Sequence, residues 1–257
     1  MQHLIITCII VPIVIHAADV SSDSTSINEG EQYLALIEEA ETIPFSSGTV
    51  SQIITTSGGD ERTLTMDMWT ADDGDLSLMA YTDPARVRGD KILQRDGGDD
   101  IWYYMKRRDR IRHFSGSSRR QSVMGSDFSY EDLATGDLTE DYTAVFEGIE
   151  EYDGESCIHL SCTPTETGPS YDHIEIWAGK DDYLTRKIEY YDEDGHLKTL
   201  YLADFKMIDG RKIALKLEMK NLRDGSRTIM LQKELSLTDE PDPVLFTKQA
   251  LSRDIDR

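Results

Sequence analysis

The sequence predicts a mainly β domain, an antiparallel meander with one helix at its start and a short one near its middle. Three observations carry that expectation. Apolar and polar residues alternate over several runs, so that 62–68 places Leu64, Met66 and Met68 on one face. In 212–220, Ile213, Leu215, Leu217 and Met219 face one way and Lys212, Lys216, Glu218 and Lys220 the other. Tight-turn signals separate the runs, among them Gly58-Gly59-Asp60, Asp209-Gly210 and Asp224-Gly225. Finally, the 257 residues show no repeat, linker or second-domain boundary, and β domains of this length are often single.

In chain order, residues 4–15 form an apolar run too short to span a bilayer, followed by Ala17 and Ala18. Residues 1–18 therefore read as a signal peptide, although the run is preceded by His3 and not by a Lys or Arg. The domain is expected at 19–257 and is expected to be exported. A lipid anchor on Cys8 is disfavoured, because almost nothing precedes the apolar run. Residues 21–29 are polar and read as a loose segment. Residues 31–41 read as a helix with Leu34 and Ile37 on one side, ended by Ile43-Pro44.

Strands are expected at 49–56, 62–68, 76–80, 101–105 and 110–113 in the first half. In the second they fall at 143–149, 157–162, 173–178, 184–191, 196–206, 212–220 and 228–237. Pro241 and Pro243 end the sheet, and 245–251 reads as a terminal helix. No stretch after the leader is apolar enough to cross a membrane, so no stable membrane insertion is expected.

The stretch 101–133 organises the rest. Ile101-Trp102-Tyr103-Tyr104-Met105 is apolar on both faces, where a one-sided antiparallel strand would be polar on alternate residues. Something apolar must cover its second face, either the protein's own helices or a ligand. A basic turn, Lys106-Arg107-Arg108, leads to a strand where Arg110 and Arg112 alternate with Ile111 and His113. The block from Met124 to Leu133 reads as a short capped helix, with Asp127 or Ser129 as the cap and Glu131 and Asp132 in the first turn.

These residues also resemble a known family. Trp102-Tyr103-Tyr104, then Arg110-Ile111-Arg112, then the run RRQSVMGSDFSYEDL from Arg119 to Leu133 are similar to the outer-membrane lipoprotein-sorting (LolA-like) family of periplasmic proteins. The likeness extends over DPARVRGDKIL at 83–93 and YLTRKIEYYD at 183–192, and covers most of the chain after about Gly48. It implies an unclosed β-barrel of about eleven strands in a single curved sheet, with helices covering the concave face and an acyl-chain cavity between them.

The formal net charge of -22 excludes a nucleic-acid partner and argues against electrostatic docking on anionic lipid. Asp72-Asp73-Gly74-Asp75 and Asp96-Gly97-Gly98-Asp99-Asp100 read as solvated hairpin tips, without the spacing of a calcium loop. His113, His159, His173 and His196 lack metal-ligand spacing, so no metal and no cofactor are expected. His159 and His173 could approach across paired strands, as satisfied sheet histidines. No nucleophile elbow or Ser-His-Asp order can be assembled, Lys91 lacks a phosphate-loop glycine pattern, and Cys157 lacks an activating setting. No catalytic residue is nominated. Cys157 and Cys162 on one strand would lie about 16 Å apart on opposite faces, beyond the roughly 7 Å a disulfide tolerates, so free thiols are expected.

What remains is an apolar surplus in the first half. Met66, Met68, Leu78, Trp102, Tyr104, Phe114, Met124, Phe128 and Tyr130 are the candidate lining of a lipid-binding cavity, since Met and aromatic side chains suit flexible apolar ligands. The expected function is a non-enzymatic periplasmic carrier of a lipoprotein's or lipid's acyl chains. The resemblance adds an inner-membrane exporter of the resistance-nodulation-division type as a possible partner. The alternatives are a sensor like the anti-sigma regulator RseB, which binds a partner protein, and an envelope hydrolase.

Overall fold

The computed structural model describes residues 20–133, 138–166 and 168–254, with side chains from residue 25 onward. The expected leader, Cys8 included, lies outside the described residues. A helix, α1 (Val20–Glu41), precedes six strands: β1 (Ser46–Thr55), β2 (Glu61–Ala71), β3 (Leu76–Asp83), β4 (Lys91–Arg95), β5 (Asp100–Met105) and β6 (Arg110–Phe114). A short helix, α2 (Leu138–Asp141), opens the second half. It holds β7 (Tyr142–Tyr152), β8 (Glu155–Pro164), β9 (His173–Gly179), β10 (Thr185–Asp192), β11 (Gly195–Ile208), β12 (Arg211–Asn221) and β13 (Arg227–Ser236). A 3-10 turn, Pro243–Phe246, and α3 (Lys248–Leu251) end the chain.

All thirteen strands form one sheet in the order β6-β5-β4-β3-β2-β1-β13-β12-β11-β10-β9-β8-β7. Each half is a meander of antiparallel neighbours, and β1 and β13 join the halves, with Ile54 opposite Thr228. The chain thus starts mid-sheet, runs to one edge, and re-enters at the other. Because β6 and β7 follow one another in sequence yet sit on opposite edges, the chain between them crosses a face of the sheet, and 115–133 and 138–141 are its described parts. That crossover carries two 3-10 turns, Gly116–Arg120 and Glu131–Leu133. The sheet is the expected unclosed barrel, with thirteen strands where about eleven were expected. One strand without a sequence signal is β4: Lys91-Ile-Leu-Gln is buried on both faces, so it has no alternation.

The inner face collects side chains from both halves. Leu64, Met66 and Tyr81 meet Leu160, Ile176 and Met219 in one core, completed by Leu34 and Ile37 of α1 and by Val123 and Phe128 of the crossover. The polar residues 21–29 belong to α1 and are not a loose segment. The helix is held along the β7 edge, and its approach depends on Gly30, where a Cβ would stand 2.3 Å from the Ala144 carbonyl oxygen. Glu31 then accepts a hydrogen bond from the Ala144 amide at 3.0 Å, and Glu38 accepts one from the Thr139 amide at 2.8 Å. The Ala144 amide on the β7 edge and the Thr139 amide in the first turn of α2, which would otherwise be orphaned, find helix carboxylates.

The second face of β5 is covered by the protein itself. Leu78, Leu93, Trp102 and Tyr104 pack on the outer face against Phe246 and Leu251 of the C-terminal segment. Lys91, buried in β4, donates to the Ala250 carbonyl at 3.0 Å and to that of Arg253, capping α3.

Candidate ligand cavity

A cavity of about 680 Å³ lies on the inner face of the second half, within the roughly 300–1,000 Å³ span of small-molecule pockets. Its floor is apolar and comes from adjacent strands in register: Ile174 (β9), Ile188 and Tyr190 (β10), Leu200 and Leu202 (β11) and Leu217 (β12). Ile188 stands opposite Leu200, and Leu202 opposite Leu217, so the pleat sets these side chains in rows. Ile174, Tyr190 and Leu200 are buried, whereas Ile188, Leu202 and Leu217 are only half-buried. Its roof is Leu138, Tyr142 and Tyr171.

The rim is acidic. Eight carboxylates line the cavity (Glu41, Asp75, Asp96, Asp99, Glu131, Asp132, Glu140 and Asp141) against one guanidinium, Arg119. Asp75, Asp96 and Asp99 come from the hairpin tips between β2 and β3 and between β4 and β5, which read in sequence as merely solvated. Burial raises the carboxyl of Glu41 above its usual range, although its Oε1 accepts the Thr185 amide at 2.7 Å. Burial, followed by the neighbouring charge of Asp132, likewise raises Glu131. Burial also pushes the phenols of Tyr171 and Tyr190 well above their ordinary range.

The crossover forms one wall and is pinned to both halves of the sheet. Arg62 of β2 donates to the Met124 and Gly125 carbonyls at 2.7 and 2.9 Å. Thr228 of β13 donates to Asp127 at 2.6 Å and accepts the Asp127 amide at 2.9 Å. Ser226 adds a further bond to Asp127. Lys198 of β11 reaches Asp132 at 2.5 Å, and Tyr171 donates to the other oxygen of that carboxylate at 2.5 Å. Ser129 caps the 3-10 turn reciprocally: its hydroxyl accepts the Asp132 amide at 3.2 Å and its amide donates to Asp132 at 2.6 Å. Asp127 is therefore not the cap but the anchor to β13. The MGSDFSYEDL block makes these bonds through the carbonyls of Met124 and Gly125 and through Asp127, Ser129 and Asp132.

The nine side chains nominated from sequence are not brought together. Met66, Phe114, Phe128 and Tyr130 lie in the inner core, with Met68 and Met124 packed against it. Leu78, Trp102 and Tyr104 sit on the opposite face of the sheet. None of the nine lines the 680 Å³ cavity; Phe128 borders a smaller space of about 390 Å³ beside Ile54 and Lys198. Leu78, Trp102 and Tyr104 come from β3 and β5, strands buried on both faces, whereas Met124, Phe128 and Tyr130 belong to the crossover. The actual floor was legible only as alternation, in which Leu217 had its inward direction.

Elsewhere the chemistry is structural. His159 lies between Glu150 at 3.0 Å and Glu175 at 2.7 Å, while His173 reaches Glu175 at 3.8 Å. Among the described residues no group of three or more His, Cys, Asp or Glu side chains is placed to hold a metal ion. Cys157 and Cys162 are buried free thiols of β8, and burial raises both above the ordinary thiol range. No helix of the described residues is long and apolar enough to cross a membrane.

Solved structures with this architecture are known. A DUF1329 family protein from Desulfovibrio piger shares 27% identity and a TM-score of 0.82, over 88% of this chain and 99% of that one. A putative outer membrane lipoprotein-sorting protein domain from Vibrio parahaemolyticus shares 25% identity and a TM-score of 0.82, over 88% and 100%. A LolA superfamily protein from Nitrosomonas europaea, at 22% identity and a TM-score of 0.71 over 86% and 98%, shares the fold. No curated protein matches the chain. The family model that matches, over residues 73–253, is described only as that of an uncharacterized protein. The chain belongs to the family of that model, and with the sheet order and the Desulfovibrio and Vibrio relatives that family is LolA-like.

Proposed function

We propose that this protein is a non-enzymatic periplasmic carrier that holds the acyl chain of a lipid or lipoprotein on the inner face of its open sheet. One observation carries the reading: Ile188, Leu202 and Leu217 point into a 680 Å³ space and stay half-buried, where core side chains would be closed over. The apolar leader at residues 1–18 supports export. The lipoprotein-sorting description of the Vibrio relative supports the class of cargo. Delivery to or from an inner-membrane exporter of the resistance-nodulation-division type is part of the proposal.

Two measurements test it. Lipid extracted from protein purified out of the periplasm should contain acyl chains by mass spectrometry. A neutral apolar dye such as N-phenylnaphthylamine should bind the purified protein and be displaced by a single-chain lipid. Neither lipid nor dye binding, together with a stable complex with a membrane protein's periplasmic segment, would replace the carrier by a sensor.

A further inference from the structure

The acidity of this chain is not spread evenly with respect to the cavity. Two hairpin tips, the Glu131–Leu133 turn, α2 and the end of α1 all deliver carboxylates to one rim above an apolar floor. Five separate stretches of backbone converge there. Two of the eight carboxylates are already offset by cations, Asp99 by Arg119, the one cation of the lining, at 2.5 Å and Asp132 by the buried Lys198 at 2.5 Å, and the field at the rim comes from the rest. We infer that the cavity takes an amphiphile with a cationic head, an amine or quaternary ammonium, and discriminates against carboxylate and phosphate heads; this rests on the carrier reading.

The physical grounds are cumulative. A rim of one sign over low-dielectric walls focuses its field into the cleft, so the potential at a bound head exceeds that of the same charges in open water. Two of the rim carboxyls, Glu41 and Glu131, are raised by burial, so their ionised forms are under-stabilised by the protein alone. A positive head seated between the tips would stabilise those ionised forms, while its tail covers Ile188, Leu202 and Leu217. An anionic head in the same place would add repulsion to desolvation.

The test compares three tails of one length: tetradecylamine, myristic acid and the uncharged myristoyl glycerol. Each displaces N-phenylnaphthylamine from the protein at low salt, below its micelle concentration. The amine should bind about tenfold or more tighter than the acid, and the ratio should shrink in 0.5 M salt as screening sets in. In Asp96→Asn/Glu131→Gln the ratio should fall at least about threefold. In Glu193→Gln it should not move, since that exposed residue of the β10–β11 turn does not line the cavity. Thermal melting confirms that each variant is folded. Binding of the glycerol ester with no preference for the amine overturns this inference and leaves the carrier standing. Acid binding that requires added magnesium also overturns it, because the carboxylates would then serve a bridging metal. Binding of none of the three overturns the carrier reading, and the inference with it.

Discussion

Asp132 of the crossover and Lys198 of β11 form an ion pair of 2.5 Å whose side chains are only 1% and 7% exposed. Its partners are 66 residues apart, and it fixes the wall of the cavity to the sheet that floors it. Removing one member of such a pair leaves a buried, uncompensated charge, which typically costs about 3–5 kcal/mol. Lys198→Met should therefore lower the stability measured by urea unfolding by about that amount. Asp132→Asn/Lys198→Met should cost less than half as much. Equal losses in the two variants would show that the pair is not electrostatically coupled.

The approach of α1 to β7 rests on one missing methyl group. At Gly30 a Cβ would lie 2.3 Å from Ala144 O and 2.8 Å from the Phe146 nitrogen, both backbone atoms that cannot swing aside. Gly30→Ala should overpack the contact and lower the melting midpoint, at a cost of about 1–3 kcal/mol despite alanine's better helix propensity. A neutral or stabilising change would show that the helix can shift outward without loss.

A pH dependence follows from His159. Burial opposes its charge, but the hydrogen bond to Glu175 and the charges of Glu150 and Glu175 outweigh that, so its pKa is raised above the ordinary value. Trp177 stacks on the ring at 4.2 Å, and the Lys187 ammonium lies over the same indole. A raised folded pKa means the native state binds the proton more tightly, so the contribution is full below about pH 6.5 and is lost as pH rises through the folded value. Urea unfolding from pH 6 to 9 should show that loss in the parent protein and a flatter profile in His159→Gln. Identical profiles would remove His159 as the cause.

The two cysteines give a chemical check on strand register. Cys157 and Cys162 are both buried in β8, whose pairing to β9 runs unbroken from Cys157 opposite Gly179 to Cys162 opposite Ile174. A continuous strand keeps them far beyond disulfide reach. Iodoacetamide should label neither in the native state within minutes and both after unfolding, read by intact mass. A quantitative unreactive bridge would require β8 to bend sharply.

What sequence shows of this fold and what it hides have identifiable reasons. Strands such as β2 and β12 announce themselves because one face is apolar and the pleat has a period of two. The two-sided β5 correctly implied a cover, which turned out to be Phe246 and Leu251. The position of the crossover was not legible. Sequential strands usually pair, and nothing local in β6 or β7 says that they stand at opposite edges. Once that is known, the roles of Asp127, Ser129 and Asp132 follow. The cavity stayed hidden for a related reason. A wall that faces empty space carries the same Ile and Leu as one that faces a core, and only burial distinguishes Leu217 from Met66.

That distinction yields the decisive mutation pair. Met66 is fully buried in the inner core, so Met66→Glu places a carboxylate where no water reaches it. The cost falls on folding and amounts to several kcal/mol, a large share of a domain's stability. Leu217 is half-buried on the floor of the cavity, where a glutamate can remain hydrated at the edge of the space. Leu217→Glu should then melt within a few degrees of the parent protein while its affinity for N-phenylnaphthylamine drops about tenfold or more, as an ion in an apolar site repels an uncharged apolar ligand. Met68 and Leu217 are both half-buried and both pack against the cluster of Met66, but Met68 does not line the cavity, so Met68→Glu belongs with the core substitutions. If Leu217→Glu instead unfolds like Met66→Glu and the parent protein binds no dye, the floor is an ordinary core and the carrier reading falls.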